Sequence, residues 1–346
     1  MSKKKKRSPE APDWLYRGLT WVGAGIRWVF FLLATLWAAG AVYVDGPLGM
    51  NSGNSWLAIG WLAIAVAGLL VIRVSWLRFL IWTTWFLVVL VPWLLISPSN
   101  DRNWKPEWAE TGWVQLDRGL LTFHNYRNFD YGTDGTVTEI WESRSFDLRN
   151  LRGMDYFHVA FGGDLIAHPI LSFDFGPDGR AALSVETRRE VGESFSEIGG
   201  LYKRFDLQYL WGDERDFIRV RTNIRNEPVY LYRLMMTPDE TLFVLLDSIR
   251  NTNLLKSQPM FYNVVSANCT TSLFAQTMEF RNAPFDIRML ANGRLDELIY
   301  EKGGFRGETS SFQEMRERSF INPAAQAAHE DADFSDRIRQ NRPGFE

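Results

Sequence analysis

The hydrophobic pattern divides the chain into two unlike parts. Three apolar runs of 17 or 18 residues, Trp28 to Val44, Trp56 to Ile72 and Phe79 to Ile96, contain no charged residue. Runs of this length are at the short end of what crosses the hydrocarbon core of a bilayer, and their flanks bring each to full length. Beyond them the pattern changes to short, mostly alternating segments typical of a folded domain. We therefore expect three transmembrane helices followed by an external domain.

Basic residues in the short loops predict the orientation of the spans. The residues before the first span include Lys3, Lys4, Lys5, Lys6, Arg7 and Arg17. The loop from Asp45 to Ser55 has none, whereas Arg73 and Arg78 lie between the second and third spans. Because loops rich in Lys and Arg stay in the cytoplasm, the N-terminus is predicted to be cytoplasmic and everything after Ile96 lies on the other face.

Strand signals dominate the external domain. Apolar and β-prone runs predict strands over residues 113–116, 120–124, 136–143, 155–161, 169–175, 181–187, 217–222 and 229–234. The sequence Gly176-Pro177-Asp178-Gly179 is a turn by composition, so two of these strands should form a hairpin. Helical patterns cover residues 207–211, 238–254, 271–281 and 295–301. The predicted fold class is α+β.

The expected organisation has four parts. Residues 1–18 are a cytoplasmic basic tail, and residues 19–96 are the three-helix transmembrane region. Residues 97–325 are long enough for one sizeable external domain. Residues 326–346 are polar, and we expect them to form a weakly ordered C-terminal tail.

Charge argues against a nucleic-acid partner. The formal net charge is −3, and the basic cluster at the start is short enough to be an orientation signal and a contact for anionic headgroups. In the external domain, Arg127, Arg144 and Arg188 could bind an anionic headgroup or pair with carboxylates.

The single cysteine, Cys269, is the strongest chemical signal. A lone thiol cannot form an internal disulfide, so it is either an inert buried residue or a reactive one. A β-rich stretch ends at Asn268 and a helix-like stretch begins at Thr271. Backbone N–H groups near Thr270, at the predicted helix N-terminus, would lower the pKa of the thiol and could stabilise an oxyanion. Cys269 is therefore the candidate nucleophile, with Asn268, Thr270 and Thr271 supporting the site.

A thiol nucleophile needs a base, and the chain has four histidines: His124, His158, His168 and His329. The first lies beside a predicted turn and the last in the expected tail. His158 and His168 each lie beside a predicted strand. Strands centred on the Gly176–Gly179 turn pair residues whose numbers sum to about 355, so His168 should lie opposite Glu186 or Thr187. Glu186 could then orient the imidazole.

Several separated segments resemble one known family. They are residues 125–129, 141–144, 167–173, 184–188, 261–263 and 268–271. In this order they are similar to the Lnb N-terminal periplasmic domain family, formerly a domain of unknown function. Its namesake is an intramolecular acyltransferase that moves an acyl chain from the diacylglyceryl group of a lipoprotein to its terminal amine. By this resemblance Cys269 maps to the nucleophile and His168 to the base of a Cys–His pair.

A second resemblance keeps His158 open as an alternative base. Residues 156–164 followed by 166–168 are similar to a strand of the lecithin:retinol acyltransferase group, in which the first His is catalytic. That group has a permuted papain-like fold. The resemblance implies an antiparallel sheet packed on the Cys-bearing helix. It also implies that the domain is distantly similar to NlpC-type enzymes. Ala167 precedes His168 where the namesake of the first family has Gly, so the reaction class transfers better than the substrate.

The resemblance implies a membrane-anchored Cys–His acyltransferase or hydrolase. Its expected partners are membrane lipids or lipoproteins, and its expected location is the periplasmic face of the bacterial inner membrane. A peptidoglycan or peptide amide hydrolase would use the same chemistry, and a non-catalytic binding module would leave Cys269 silent. A hydrophobic groove would favour lipid. No cofactor is expected, and one cysteine without a His-Glu-x-x-His run argues against a metal hydrolase.

Overall fold

The computed structural model describes residues 13–48, 52–161, 165–266, 273, 286–289 and 291–345. The chain divides into two compact units, Met1–Ser97 and Pro98–Glu346. The first unit contains the apolar helices and the second contains the sheet.

Three long helices form the first unit. They are α1 (Asp13–Asp45), α2 (Ser52–Val71) and α3 (Ser75–Leu95). Each contains a segment long and apolar enough to cross a membrane, which confirms the predicted apolar helices. Indole N–H groups hydrogen-bond between helices: Trp82 Nε1 donates to Thr35 Oγ1 over 3.0 Å, and Trp93 Nε1 donates to Asp45 Oδ2 over 2.7 Å.

The second unit is built on an eight-stranded sheet, counted over the described residues. Its strands are β1 (Trp113–Asp117), β2 (Leu120–Arg127), β5 (Trp141–Asp147), β6 (Gly153–Ala160), β7 (Ala167–Asp174), β8 (Arg180–Arg188), β9 (Asp206–Asp213) and β10 (Val229–Arg233). The order is β1-β2-β9-β8-β7-β6-β10, with β5 also paired to β2. The β2–β9 pair is parallel and the other pairs are antiparallel. Strands β3 (Asp130–Tyr131) and β4 (Val137–Thr138) form a separate two-stranded sheet.

Helices surround this sheet. Among the described residues they are α4 (Glu214–Arg219), α5 (Pro238–Ser257), α6 (Leu295–Glu301), α7 (Phe312–Ser319), α8 (Asn322–Ala327) and α9 (Phe334–Arg337). The longest, α5, begins with a capping box in which Thr237 and Glu240 satisfy each other's backbone N–H groups.

Both faces of the sheet are buried along the strands β6, β7, β8 and β9. On one face, Leu171, Leu183 and Trp211 pack in a cluster with α5 and α6 residues such as Leu245 and Leu298. A second cluster contains the strand residues Ile170, Ala182 and Leu210 together with Phe217, Ile321 and Phe334. The two layers confirm the predicted α+β class, and the papain-like permutation stays a prediction.

The central hairpin follows the predicted register closely. Strands β7 and β8 are antiparallel, with Ile170 opposite Ser184 and Leu171 opposite Leu183, so paired numbers sum to 354. The connecting turn has positive φ values at Gly176 (55°) and Gly179 (96°), a conformation that glycine adopts at little cost. This hairpin positions the candidate site.

Two predicted elements of the domain are wrong. Residues 207–211, expected to be helical, lie in the central strand β9, and residues 217–222, expected to be a strand, lie in α4 and the π-helical turn Val220–Ile224. The side chain of Asp213 accepts a hydrogen bond from Arg215 N over 2.9 Å and so caps α4. The cap and the burial of Phe217 outweigh the β-propensity of the apolar run.

The expectation of a weakly ordered C-terminal tail is also wrong. Phe334 and Ile338 are fully buried in the core. Arg339 forms ion pairs with Asp155 of β6 at 2.7 Å and with Glu214 of α4 at 2.6 Å. The segment is polar in sequence, yet its apolar residues and the ion-paired Arg339 pack inside the domain.

Candidate functional site

A cavity of about 600 Å³ lies where β7 begins and β8 ends. His168 contributes to its wall from β7, and Val185, Glu186 and Thr187 contribute from β8. The volume is within the range of roughly 300–1,000 Å³ found for small-molecule sites. Of the predicted site residues that the structure describes, His168 and Glu186 meet in this cavity.

His168 and Glu186 are joined by a third residue, Ser184. His168 Nε2 lies 2.6 Å from Ser184 Oγ and 3.1 Å from Glu186 Oε1. The Ser184 hydroxyl donates to Glu186 Oε1 over 2.6 Å. Ser184 and Glu186 are two positions apart on β8 and therefore point to one face of the sheet. Ile170 pairs with Ser184, which places His168, two positions before Ile170, on that same face.

These contacts assign the proton on the imidazole. Because the hydroxyl hydrogen of Ser184 points to the carboxylate, Ser184 Oγ accepts from His168 Nε2. Nε2 therefore carries a hydrogen, as inferred from the network. The nitrogen that would exchange a proton during catalysis is then Nδ1. A carboxylate behind the other ring nitrogen is the arrangement that orients a catalytic imidazole.

The carboxylate of Glu186 is held ionised. Burial alone would raise its pKa, but His168, Arg221 and the hydrogen bond from Ser184 keep the pKa well below its usual range. Arg221 Nη2 lies 3.6 Å from Glu186 Oε1, and Arg221 Nη1 lies 3.1 Å from Glu227 Oε2. The carboxylate of Glu186 thus interacts with both the imidazole of His168 and the guanidinium of Arg221.

His158 has a different environment. Val159 pairs with His168, so His158 points to the opposite face of the sheet. It is fully buried, with Nδ1 2.9 Å from the Tyr156 hydroxyl and Nε2 donating to Gly293 O over 3.1 Å. Burial is the largest cause of its lowered pKa. Both ring nitrogens of His158 are engaged in hydrogen bonds within the domain, and His158 does not line the cavity.

The short helical turn Asn292–Arg294 contributes to the cavity wall. Asn292 lines the cavity, and its side-chain oxygen accepts from Ala167 N over 2.8 Å. The next residue, Gly293, accepts the hydrogen bond from His158 and donates from its backbone N–H to Leu165 O over 3.3 Å. This turn fixes the start of β7, and thereby the position of His168.

The predicted nucleophile and its supporting residues, Cys269, Asn268, Thr270 and Thr271, lie outside the described residues, and their roles stay predictions. One described residue on each side of them in sequence is informative. Val264 lines the cavity, and Leu273 is buried in the core cluster of α5 and α6. The predicted helix 271–281 is outside the described residues except for Leu273.

The three arginines singled out in the sequence are structural. Arg127 forms two hydrogen bonds with Asp216, at 2.8 and 3.0 Å, and Arg144 pairs with Asp213. Arg188 donates to backbone carbonyl groups, including Trp108 O at 2.8 Å. None of the three lines the cavity.

Other residues of the site were missed in the sequence. Ser184 could have been found, because a polar residue two positions before Glu186 shares its face of a strand. The cavity also has three arginine side chains in its wall, Arg189, Arg221 and Arg225. The last two follow α4, whose segment was predicted to be a strand, so their side-chain directions were not foreseeable.

No group of three or more His, Cys, Asp or Glu side chains within the described residues could hold a metal ion. The described part of the site consists of acid–base residues, arginines and apolar walls.

Fold and sequence together define a protein with three apolar, membrane-spanning helices and an α+β domain. Residues 138–293 match the family model of the Lnb N-terminal periplasmic domain, which confirms the resemblance seen in the sequence motifs. With the three apolar helices, this match indicates a membrane-anchored periplasmic protein. Comparisons with curated proteins and with solved structures found no match.

Proposed function

We propose that this protein is a thiol acyltransferase or hydrolase that acts on lipid or lipoprotein acyl groups at the periplasmic face of the membrane. The observation that carries the proposal is the contact of His168 with Ser184 and Glu186 in the wall of a large cavity. An imidazole backed by an ionised carboxylate is the base that a thiol nucleophile requires. The matched segment, 138–293, includes all three residues and Cys269.

The walls of the cavity favour an acyl substrate over a peptide. Four large apolar side chains line it and are also exposed to solvent: Phe161, Leu165, Phe195 and Ile287. Leu165 is 69% exposed and Ile287 is 63% exposed. Soluble surfaces rarely leave such residues together unless they bind an apolar partner. An open polar groove would have favoured peptidoglycan.

The proposed reaction has two steps. His168 takes the proton of the Cys269 thiol through Nδ1, and the thiolate attacks the carbonyl carbon of an acyl ester. Backbone N–H groups near Thr270 stabilise the oxyanion, and Asn268 and Thr271 support the site. The alcohol leaves with the proton from His168, and an acyl thioester remains on the sulfur. An amine or water then attacks the thioester, which releases the thiol.

Membrane anchoring supports this assignment. The three apolar helices tether the domain to the bilayer, where acyl chains are concentrated. Under the proposed orientation, with the N-terminus in the cytoplasm, the domain acts on the periplasmic leaflet.

Intact-mass spectrometry of the full-length protein incubated with membrane lipid extract tests the proposal. We expect an acyl adduct on Cys269 that hydroxylamine removes, as it removes thioesters. Cys269→Ala should form no adduct. His168→Ala should form it at least a hundredfold more slowly, within the range that general base catalysis contributes.

His124→Ala is the matched control, because His124 contacts Ser143 and Trp113 and does not line the cavity. It should form the adduct at the normal rate. An adduct that forms equally fast in His168→Ala would remove His168 from the mechanism. A protein that never acquires an adduct from lipid or lipoprotein would contradict the acyl-transfer proposal.

A further inference from the structure

We propose that Arg189 and Arg225 form a phosphate-binding subsite in the wall of the cavity, so that the acyl donor carries a phosphate group. This inference deepens the proposed function by naming the substrate class. Both side chains line the cavity that contains His168 and Glu186. The donor would be a phospholipid whose acyl chain contacts the apolar wall while its phosphate contacts the arginines.

Arg189 is held in position but its charge is not neutralised by a direct partner. Its guanidinium lies 4.3 Å from the centre of the Trp108 ring, a cation–π contact that fixes its plane. Its backbone oxygen accepts from Lys105 N over 3.0 Å. Its Nε is buried without a hydrogen-bond partner, counted over the described residues. A buried donor left unpaired is costly, and an anion in the cavity that Arg189 lines would offset the cost by pairing with the accessible part of the guanidinium.

Arg189 also experiences other positive charges. Burial is the largest cause of its lowered pKa, and the charges of Arg225 and Arg221 lower that pKa further, while Glu186 raises it. Mutual repulsion of this kind is relieved when an anion binds between the cations. The guanidinium groups offer paired N–H donors that match the geometry of phosphate oxygens.

The negative charges of the cavity are mostly engaged elsewhere. Glu186 and Glu227 pair with Arg221, at 3.6 and 3.1 Å. Glu197 is exposed and also lines the cavity. Neither Arg189 nor Arg225 forms an ion pair within 4.0 Å in the part of the chain that the structure describes. Arg221 is thus compensated, and the other two arginines retain their charge for a ligand.

Apolar walls beside these cations indicate an amphiphile rather than a small soluble anion. Phe161, Leu165 and Ile287 would contact hydrocarbon, whereas Arg189 and Arg225 would contact the head. The exposed fractions of Leu165 and Ile287 show that the apolar wall reaches the surface. A tethered domain would meet such molecules at the bilayer surface.

Binding can be measured separately from catalysis in the full-length Cys269→Ala protein in neutral detergent. The probes for isothermal titration calorimetry are dihexanoyl phosphatidic acid, dihexanoylglycerol, glycerol 3-phosphate and inorganic phosphate. Dihexanoylglycerol has only the acyl chains of the phosphatidic acid. Glycerol 3-phosphate and inorganic phosphate have only its phosphate. We expect the phosphatidic acid to bind at least tenfold more tightly than the dihexanoylglycerol.

The double variant Arg189→Gln and Arg225→Gln should bind the phosphatidic acid at least tenfold more weakly, with unchanged affinity for the dihexanoylglycerol. Arg250→Gln, on the exposed face of α5, is the matched control and should change neither affinity. Replacement of both cavity arginines by Lys, which keeps the charge, should restore part of the loss. A different result is that inorganic phosphate or glycerol 3-phosphate binds as tightly as the phosphatidic acid and loses the same affinity in the double variant. The subsite would then recognise the phosphate alone, and the proposed lipid donor would be wrong.

Equal affinity of the wild-type site for the charged and neutral lipids would overturn the subsite. So would a double variant that loses both affinities equally, or neither. These outcomes are distinct from failure of the proposed function, because no thioester is needed for binding. Selective binding without a Cys269 adduct would keep the subsite and remove the acyl-transfer reaction.

Discussion

The hydroxyl of Ser184 donates a 2.6 Å hydrogen bond to Glu186, two positions further along β8. The same oxygen accepts from His168 Nε2 over 2.6 Å. Ser184 therefore fixes the imidazole and the carboxylate relative to each other, although the sequence alone assigned it no role. Its contribution can be measured.

Ser184→Ala should slow the alkylation of Cys269 by iodoacetamide about tenfold at neutral pH. The variant removes one hydrogen bond to the imidazole and one to the carboxylate, and about 1.4 kcal/mol of lost orientation corresponds to a factor of ten. The measurement is the second-order rate constant on full-length protein, as a function of pH.

Ser145→Ala is a suitable control for that experiment. Ser145 lies on the exposed side of β5, and its hydroxyl hydrogen-bonds to Thr122 Oγ1 at 3.0 Å. Its loss should leave the alkylation rate unchanged. If Ser184→Ala reacts as fast as the wild-type protein, with an unchanged unfolding midpoint, Ser184 does not position the base.

Acid should weaken the domain partly through Glu186. The folded state holds the pKa of this carboxyl below its ordinary value of 4.5, so its contribution to stability is present above 4.5 and is lost as the pH falls through the lower folded value. Glu186→Gln should melt at a lower temperature than the wild-type protein at pH 7. The difference should shrink as the pH drops below 4.5.

Thermal melts of the full-length protein in detergent, followed by tryptophan fluorescence, measure this effect. Glu317→Gln, an exposed glutamate of α7, should melt like the wild-type protein at every pH. A difference for Glu186→Gln that is constant across the acid range would show that the charge of Glu186 does not stabilise the fold.

Arg339→Met should destabilise the domain by about 3–5 kcal/mol, because it leaves two buried carboxylates with less compensation. Arg339 is 5% exposed and contacts Asp155 and Glu214 directly. Arg337→Met removes a partly exposed pair with Asp331 and should cost no more than about 1 kcal/mol. Urea unfolding midpoints compare the two. Equal midpoints would mean that the C-terminal segment contributes no specific stability.

A reporter fused after Glu346 tests the orientation. Alkaline phosphatase, which needs an oxidising compartment, should be active there and inactive when fused before Met1. The reason is the excess of Lys and Arg before the first span and between the second and third. A C-terminal fusion that is active only with a cytoplasmic reporter would reverse the topology.

Much of the architecture could be predicted from local patterns. The three apolar runs, the Gly176–Gly179 turn and the helix at 238–254 have strong local signals, and the structure has each of them. The turn also fixed the approach of His168 to Glu186, because the register of a tight hairpin follows from its turn.

The wrong predictions concern segments whose secondary structure is determined by tertiary contacts. Strand β9 lies between two neighbours and is buried on both faces, so Tyr209 and Leu210 are both apolar and no alternation marks a strand. Residues 217–222 are β-prone in isolation but follow a helix cap at Asp213. The pairing of Arg339 with Asp155, 184 residues earlier, has no local signal at all.

That last separation has a consequence for biosynthesis. Asp155 lies on β6, beside the terminal strand β10, yet one of its two arginine partners, Arg339, is synthesised 184 residues later. Until Arg339 emerges, a nascent chain has an incompletely neutralised cluster of acidic groups where the core must close. We therefore expect the domain to reach its final packing only after synthesis has passed residue 339, however early the β7–β8 hairpin forms.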